Sequence, residues 1–94
     1  TGVGKTLVSA MLVAALKAHY WKPIQSGTID GTDTDWVRNV TGLSRDRFIP
    51  EVYSLREPLS PHAAAQIDGV SISLENIELP DVSPLIVEGA GGVM

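Results

Sequence analysis

The chain opens TGVGKT and runs straight into LVSAMLVAAL. A Gly-Lys-Thr at the mouth of an apolar helix constrains the fold more than any other stretch of the 94 residues. In a phosphate-binding loop, successive backbone N–H groups wrap the phosphate oxygens, and the helix that follows turns its positive end toward them. Lys5 then sets its ammonium on the β- and γ-phosphates, and Thr6 offers its hydroxyl to Mg²⁺. The complete pattern needs a further glycine ahead of Thr1, so the chain carries the tail of such a loop. The spacing of Leu7, Val8, Met11, Leu12, Ala15 and Leu16 predicts a helix from Thr6 to about Ala18. It is apolar nearly all round, which predicts cover on more than one side.

Beyond the helix the chain reads AHYWKPIQSG. Tyr20, Trp21 and Ile24 favour an extended strand, punctuated by Pro23 and Gly27. The junction before it holds no Gly, Asn or Pro, whereas a helix ordinarily reaches a strand through about two to six loop residues. The expectation is that a few residues are absent between Lys17 and Tyr20. TIDGTDTD is a polar turn. Asp35 to Val40 opens a helix capped by Thr34 or Asp33, Leu43 to Arg47 is a turn, and Phe48 to Leu55 is a loosely alternating strand. A short helix over His62–Ile67 ends at Gly69. Ile72, Leu74 and Ile77 fit either a strand or a short helix, and Leu85–Val87 is a short apolar strand running into GAGG. Strands alternating with helices predict an α/β fold with a mostly parallel sheet.

Four further stretches carry chemistry. In LIVEGAGG, Glu88 stands at the C-terminal end of an apolar strand, the ligand-binding edge of a parallel sheet, with glycines after it that admit a phosphate. It suits the second acidic element of a nucleotide site, holding Mg²⁺ directly or through water. In WKPIQSG, Lys22 can neutralise a developing phosphoanhydride or carbamate charge if it points into the cleft; otherwise it is a surface lysine with a buried stem. Ser26 and Gly27 add a hydroxyl and an N–H. In TIDGTDTD, one of Asp30, Asp33 and Asp35 can complete a magnesium shell, though turn and cap aspartates are the commoner case. In PLSPH, rigid prolines precede a helix, and His62 fits a structural role better than a general base.

The absence of cysteine excludes disulfides and thiolate metal sites. A net charge of −4 argues against a broad nucleic-acid surface. No apolar run is long enough to span a bilayer and no signal-peptide pattern is present, so a cytoplasmic protein without a membrane partner is expected. Both ends fall at mid-domain positions, which predicts that residues 1–94 form one partial domain.

Taken in order, these motifs resemble dethiobiotin synthetase, a P-loop NTPase-like ligase of biotin biosynthesis. Thr1-Gly2-Val3-Gly4-Lys5-Thr6 matches the tail of its phosphate loop. Lys22-Pro23-Ile24-Gln25-Ser26-Gly27 matches K-P-x-x-S-G, Pro58-Leu59-Ser60-Pro61-His62 matches P-x-S-P-H, and Val87-Glu88-Gly89-Ala90-Gly91-Gly92 matches V-E-G-A-G-G. The resemblance runs the length of the chain and implies about the first half of a family member. It implies that Gly2, Val3, Gly4, Lys5, Thr6 and Leu7 bind the ATP phosphates. It further implies that Thr6, Asp35 and Glu88 hold Mg²⁺, with Asp33 the alternative to Asp35, and that Glu88, Gly89, Ala90 and Gly91 line the nucleotide and substrate cleft. Lys22 and Lys5 become the catalytic lysines, and Ser26 joins Lys22 in holding substrate. The implied reaction joins 7,8-diaminopelargonate and CO₂ at the expense of ATP, in a homodimer. Two other readings are a partitioning-type switch ATPase and a non-catalytic regulatory relative. The first usually carries K-G-G-x-G-K-[ST], against which Thr1 counts. The second is disfavoured by the presence of Lys22 and Glu88. A cobyrinic-acid-amidating relative should lack PLSPH.

Overall fold

The computed structural model describes residues 2–28, 31–56, 61–69, 71–73, 75 and 77–89, with backbone only for Gly2, Val3, Pro61 and His62. Helix α1 spans Gly2–Leu16. It begins four residues before Thr6, its first turn carrying Gly2 and Gly4 despite the low helix propensity of glycine. Gly4, Lys5 and Thr6 therefore lie in its opening turns, and the N–H groups of Gly2, Val3 and Gly4 have no carbonyl ahead of them in the same helix.

The buried stripe of α1 is Thr6, Ser9, Ala10 and Val13, one helical face of small residues. Small side chains let the helix approach the sheet and its neighbour closely. The larger apolar side chains Leu7, Val8, Met11, Leu12 and Leu16 are exposed, Met11 to 63 %. The expectation of cover on several sides therefore fails within these residues, which supply one covering surface.

The junction after α1 corrects a second expectation. Lys17 takes the left-handed conformation at φ 50, and the Ala18 N–H donates to the Val13 carbonyl at 3.0 Å. That bond closes the helix end in the manner usually left to glycine. Two residues are a sufficient connection, and strand β1 (His19–Trp21) starts at once.

Strand β2 (Ile24–Ser26) follows after Lys22 and Pro23. Proline offers no N–H to a ladder, so the one strand expected here is two, in different sheets. The same holds for Phe48–Leu55, which divides around Pro50 into β3 (Phe48–Ile49) and β4 (Tyr53–Leu55). With β5 (Leu85–Val87), the first sheet runs β3-β1-β5 and the second pairs β2 with β4, all in parallel. Tyr20 lies opposite Phe48 on one side and Ile86 on the other.

Helix α2 covers Asp33–Thr41. Its cap is Thr32, whose hydroxyl accepts from the Asp35 N–H at 3.1 Å, so the helix starts two residues before the expected Asp35. Gly42, at φ 67, closes it by donating to Arg38. A helical turn at Arg45–Arg47 leads into β3. Helix α3 (Pro61–Asp68) ends at Gly69, φ 71, as expected. Among the described residues of 71–80, no strand or α-helix forms.

Two cores result. Ala10, Val13, Tyr20, Val37 and Phe48 join α1 and α2 to the first sheet, with Leu43 and Ile86 against them. Leu55, Ala64 and Ala65 join α3 to the second, with Ile24 and Ile72. The architecture is α/β with parallel sheets flanked by helices, as the alternation of elements predicts. No helix among the described residues is long and apolar enough to cross a membrane.

Candidate active site

The first sheet brings the two ends of the chain together. Because β5 pairs with β1 in register, Glu88 follows β5 directly beside the end of β1, and its N–H donates to the Trp21 carbonyl at 3.0 Å. Glu88 is thereby held at the C-terminal edge of two parallel strands, under the first turns of α1. Thr6 Oγ1 donates to Glu88 Oε2 at 2.8 Å, and Lys5 Nζ donates to the Gly89 carbonyl at 3.2 Å. The GKT and VEG motifs, 82 residues apart in sequence, are in direct contact.

Lys22 follows β1 directly and is buried rather than exposed. Its Nζ lies 2.5 Å from Asp33 Oδ2 and 3.4 Å from Glu88 Oε2. The reading of Lys22 as a surface lysine is set aside by this burial between two carboxylates. An extended chain puts residues two apart on one face, so Tyr20 reaches the same carboxylate: its hydroxyl donates to Glu88 Oε1 at 2.9 Å. Burial, then the charge of Glu88, pushes the Tyr20 phenol far above its ordinary range, so it remains a neutral donor. Among the described residues, every buried side-chain nitrogen and oxygen has a partner.

The aspartate that meets Lys22 is Asp33, while Asp35 pairs with Arg38 instead. With Thr32 as the cap, Asp33 opens α2 and faces Lys22. Its N–H is also taken by Gln25 Oε1 at 2.9 Å, which ties the start of α2 to β2. Asp35 stands two residues on, about 200° around the helix. It is more exposed and faces Arg38 across 3.4 Å.

Oxygens of Asp33 and Glu88 converge on the Lys22 ammonium, and the Thr6 hydroxyl joins them through Glu88 Oε2. Hard oxygen donors of this kind suit Mg²⁺, which takes one or two carboxylates and fills its remaining positions with water and phosphate oxygens. No cluster of three or more His, Cys, Asp or Glu forms among the described residues, in keeping with so sparse a donor set.

The other expected residues fall as follows. Gly2, Val3 and Gly4 contribute backbone in the first turn of α1, and the Leu7 side chain is exposed. Ser26 ends β2 in the second sheet opposite Leu55, and its carbonyl accepts from Gln25 Nε2 at 2.6 Å. Ala90, Gly91, Asp30 and the Pro58–Ser60 part of the PLSPH stretch lie outside the described residues, as does the His62 side chain. Sequence reasoning missed Tyr20 and Gln25. Their signals were the i, i+2 relation of Tyr20 to Lys22 and a glutamine beside a helix start.

A family model described as an AAA domain matches residues 1–94, the whole chain. The chain belongs to the AAA domain family. This AAA domain is similar to the ATP-dependent dethiobiotin synthetase BioD of Novosphingobium aromaticivorans, at 55% identity over 94 residues, all of this chain and 46% of that protein. It is 58% identical over 95 residues to the protein of the same name from Rhodopseudomonas palustris strain TIE-1, covering 45% of it. It is 52% identical over 96 residues to that of Bradyrhizobium diazoefficiens, covering 46%. The resemblance drawn from the motifs is thus shown by relatives matched along the entire chain. The chain spans about half the length of these curated relatives. No solved structure matches the chain.

Proposed function

We propose that this AAA domain is half of an ATP- and Mg²⁺-dependent ligase domain that closes the ureido ring of dethiobiotin from 7,8-diaminopelargonate and CO₂. The observation that carries the proposal is the meeting of buried Thr6, Glu88 and Lys22 with half-buried Asp33 at the N-terminal end of α1, in a chain whose curated relatives are named ATP-dependent dethiobiotin synthetases.

The chemistry suits the residues. The diamine takes up CO₂ as a carbamate, the carbamate oxygen attacks the γ-phosphate of ATP and the β–γ anhydride bond breaks to release ADP, and the second amine then displaces phosphate from the mixed anhydride. No protein nucleophile is required, so catalysis reduces to positioning and charge stabilisation. The first-turn N–H groups of α1 and the Lys5 ammonium hold the phosphates. Thr6, Asp33 and Glu88 hold the Mg²⁺, which supplies charge neutralisation at the phosphates when bound. Lys22, buried at the same point, turns its ammonium to the carbamate and the phosphoryl group in transfer. Ser26, with Gly89, Ala90 and Gly91, belongs to the substrate side of the cleft. A cytoplasmic homodimer completes the proposal.

The test is phosphate release by the full-length protein with Mg-ATP and bicarbonate, with and without the diamine. Diamine-dependent release with dethiobiotin as product is the expected result. Release that ignores the diamine points to a switch ATPase instead, and no release under either condition points to a non-catalytic regulatory domain.

A further inference from the structure

Tyr20 is fully buried, at 0 % exposure, in a core otherwise made of Ala10, Val13, Val37 and Phe48. Its ring lies 6.2 Å from that of Phe48, tilted by 53°. For packing alone, phenylalanine would serve and would bring no polar atom into an apolar cluster. The hydroxyl donates to Glu88 Oε1 at 2.9 Å. The other oxygen, Oε2, takes Thr6 at 2.8 Å and Lys22 at 3.4 Å. The two oxygens therefore have separate surroundings, one facing the core and one facing the site.

We propose that Tyr20 is a positioning residue, which anchors the inner oxygen of Glu88 and so presents the outer one to the cation bound between α1 and β5. This rests on the reading of the site as a Mg-nucleotide centre. A carboxylate at 3 % exposure without an inner donor would either rotate to share Oε2 or leave Oε1 buried and unpaired. Either response moves the outer oxygen away from its direction. Partners of ligating carboxylates commonly account for about 10- to 100-fold in metal affinity. Tyr20 has the geometry of such a partner, with its hydroxyl on the oxygen of Glu88 that Thr6 and Lys22 do not use.

The experiment is Mn²⁺ binding to the full-length protein in the presence of ATP, followed by electron paramagnetic resonance, for the unsubstituted protein, Tyr20→Phe, Glu88→Gln and the double variant. ATP binding in EDTA and thermal melting are followed alongside. Tyr20→Phe should weaken Mn²⁺ by about 10- to 100-fold, leave metal-free ATP affinity within about twofold, and have no further effect in the Glu88→Gln background. Placing 4-aminophenylalanine at position 20 returns an N–H donor to the same ring and should restore Mn²⁺ affinity; this arm decides the matter if the Phe variant does not fold. Unchanged Mn²⁺ affinity in Tyr20→Phe, an equal loss in the Glu88→Gln background, or failure of the amino ring to restore binding would each overturn the positioning role. Absence of Mn²⁺ binding in the unsubstituted protein would overturn the nucleotide-site reading itself.

Discussion

Lys22→Met offers the sharpest probe of the site, because it removes one charge and keeps most of the stem. The ammonium sits against two carboxylates whose exposures differ: the Glu88 side chain is 1% exposed and that of Asp33 36%. Removing one partner of a fully buried pair costs about 3–5 kcal/mol. Here Asp33 rehydrates, and Glu88 keeps the Tyr20 and Thr6 hydroxyls. The expected loss is therefore smaller, about 2–3 kcal/mol, set mainly by the uncompensated Glu88 charge. In a protein of the relatives' length this lowers Tm by roughly 4–12 °C. A divalent cation offered to the same oxygens replaces the lost charge, so Mg²⁺ should raise Tm more in Lys22→Met than in the unsubstituted protein. Turnover should fall by about 10²–10³, the range for loss of a group that stabilises transition-state charge, while ATP affinity changes by only a few fold. Differential scanning fluorimetry with and without MgCl₂, and phosphate release with the diamine, read all of these. A Tm within 2 °C of the unsubstituted protein, with roughly the same Mg²⁺ response, would refute the view that Lys22 neutralises Glu88. Wild-type turnover would remove its catalytic role.

Three further outcomes are expected. Asp33→Asn should weaken Mg²⁺ affinity about tenfold or more, whereas Asp35→Asn, at an exposed carboxylate that faces half-buried Arg38, should stay within about 0.5 kcal/mol in stability and near the unsubstituted protein in activity; activity against Mg²⁺ concentration separates the two. Lys17→Gly should stabilise by about 0.5–1 kcal/mol by relieving the left-handed backbone, read as a higher urea midpoint. The Arg56 N–H and guanidinium hold the Asp68 carboxyl below the usual carboxylate range. A depressed folded pKa contributes stability that is present above the unfolded value, about 3.9, and is lost as pH falls through the folded one. The Tm gap between the unsubstituted protein and Asp68→Asn should therefore be full at pH 7 and close as the solution is acidified below about pH 4.

The residues most legible in the sequence were those whose chemistry depends on local pattern. Glu88 could be placed at a strand end because Leu85–Val87 is a short apolar run with glycine after it, and β5 has those bounds. Gly4-Lys5-Thr6 announced its own helix. Asp33 was obscured by a matter of phase: moving the cap from Thr34 to Thr32 shifts the start of α2 by two residues, and two residues are more than half a turn. The Thr32 hydroxyl, three residues before the N–H it caps, was the available signal. Lys17 was hidden because a left-handed helix end is usually marked by glycine, and the penalty for a lysine there is small enough for tertiary structure to override. The exposed face of α1 was illegible for another reason. Periodicity reports that a stripe exists, but Leu7 and Met11 satisfy the period as well as Ala10 and Val13 do, and only the neighbours decide which stripe is covered.

The glutamine that joins β2 to the first turn of α2 has a consequence for how a ligand would meet this protein. Gln25 accepts from the Asp33 N–H and donates to the Ser26 carbonyl, while Thr32 secures the same turn from the other side. The backbone that carries the acidic group opposite Lys22 is thus already fixed by bonds to the scaffold. Ordering costs that would otherwise be met at the moment of association are met when the chain folds. Disturbing Gln25 would then leave each charged group in place chemically, yet lower affinity through restored freedom of motion.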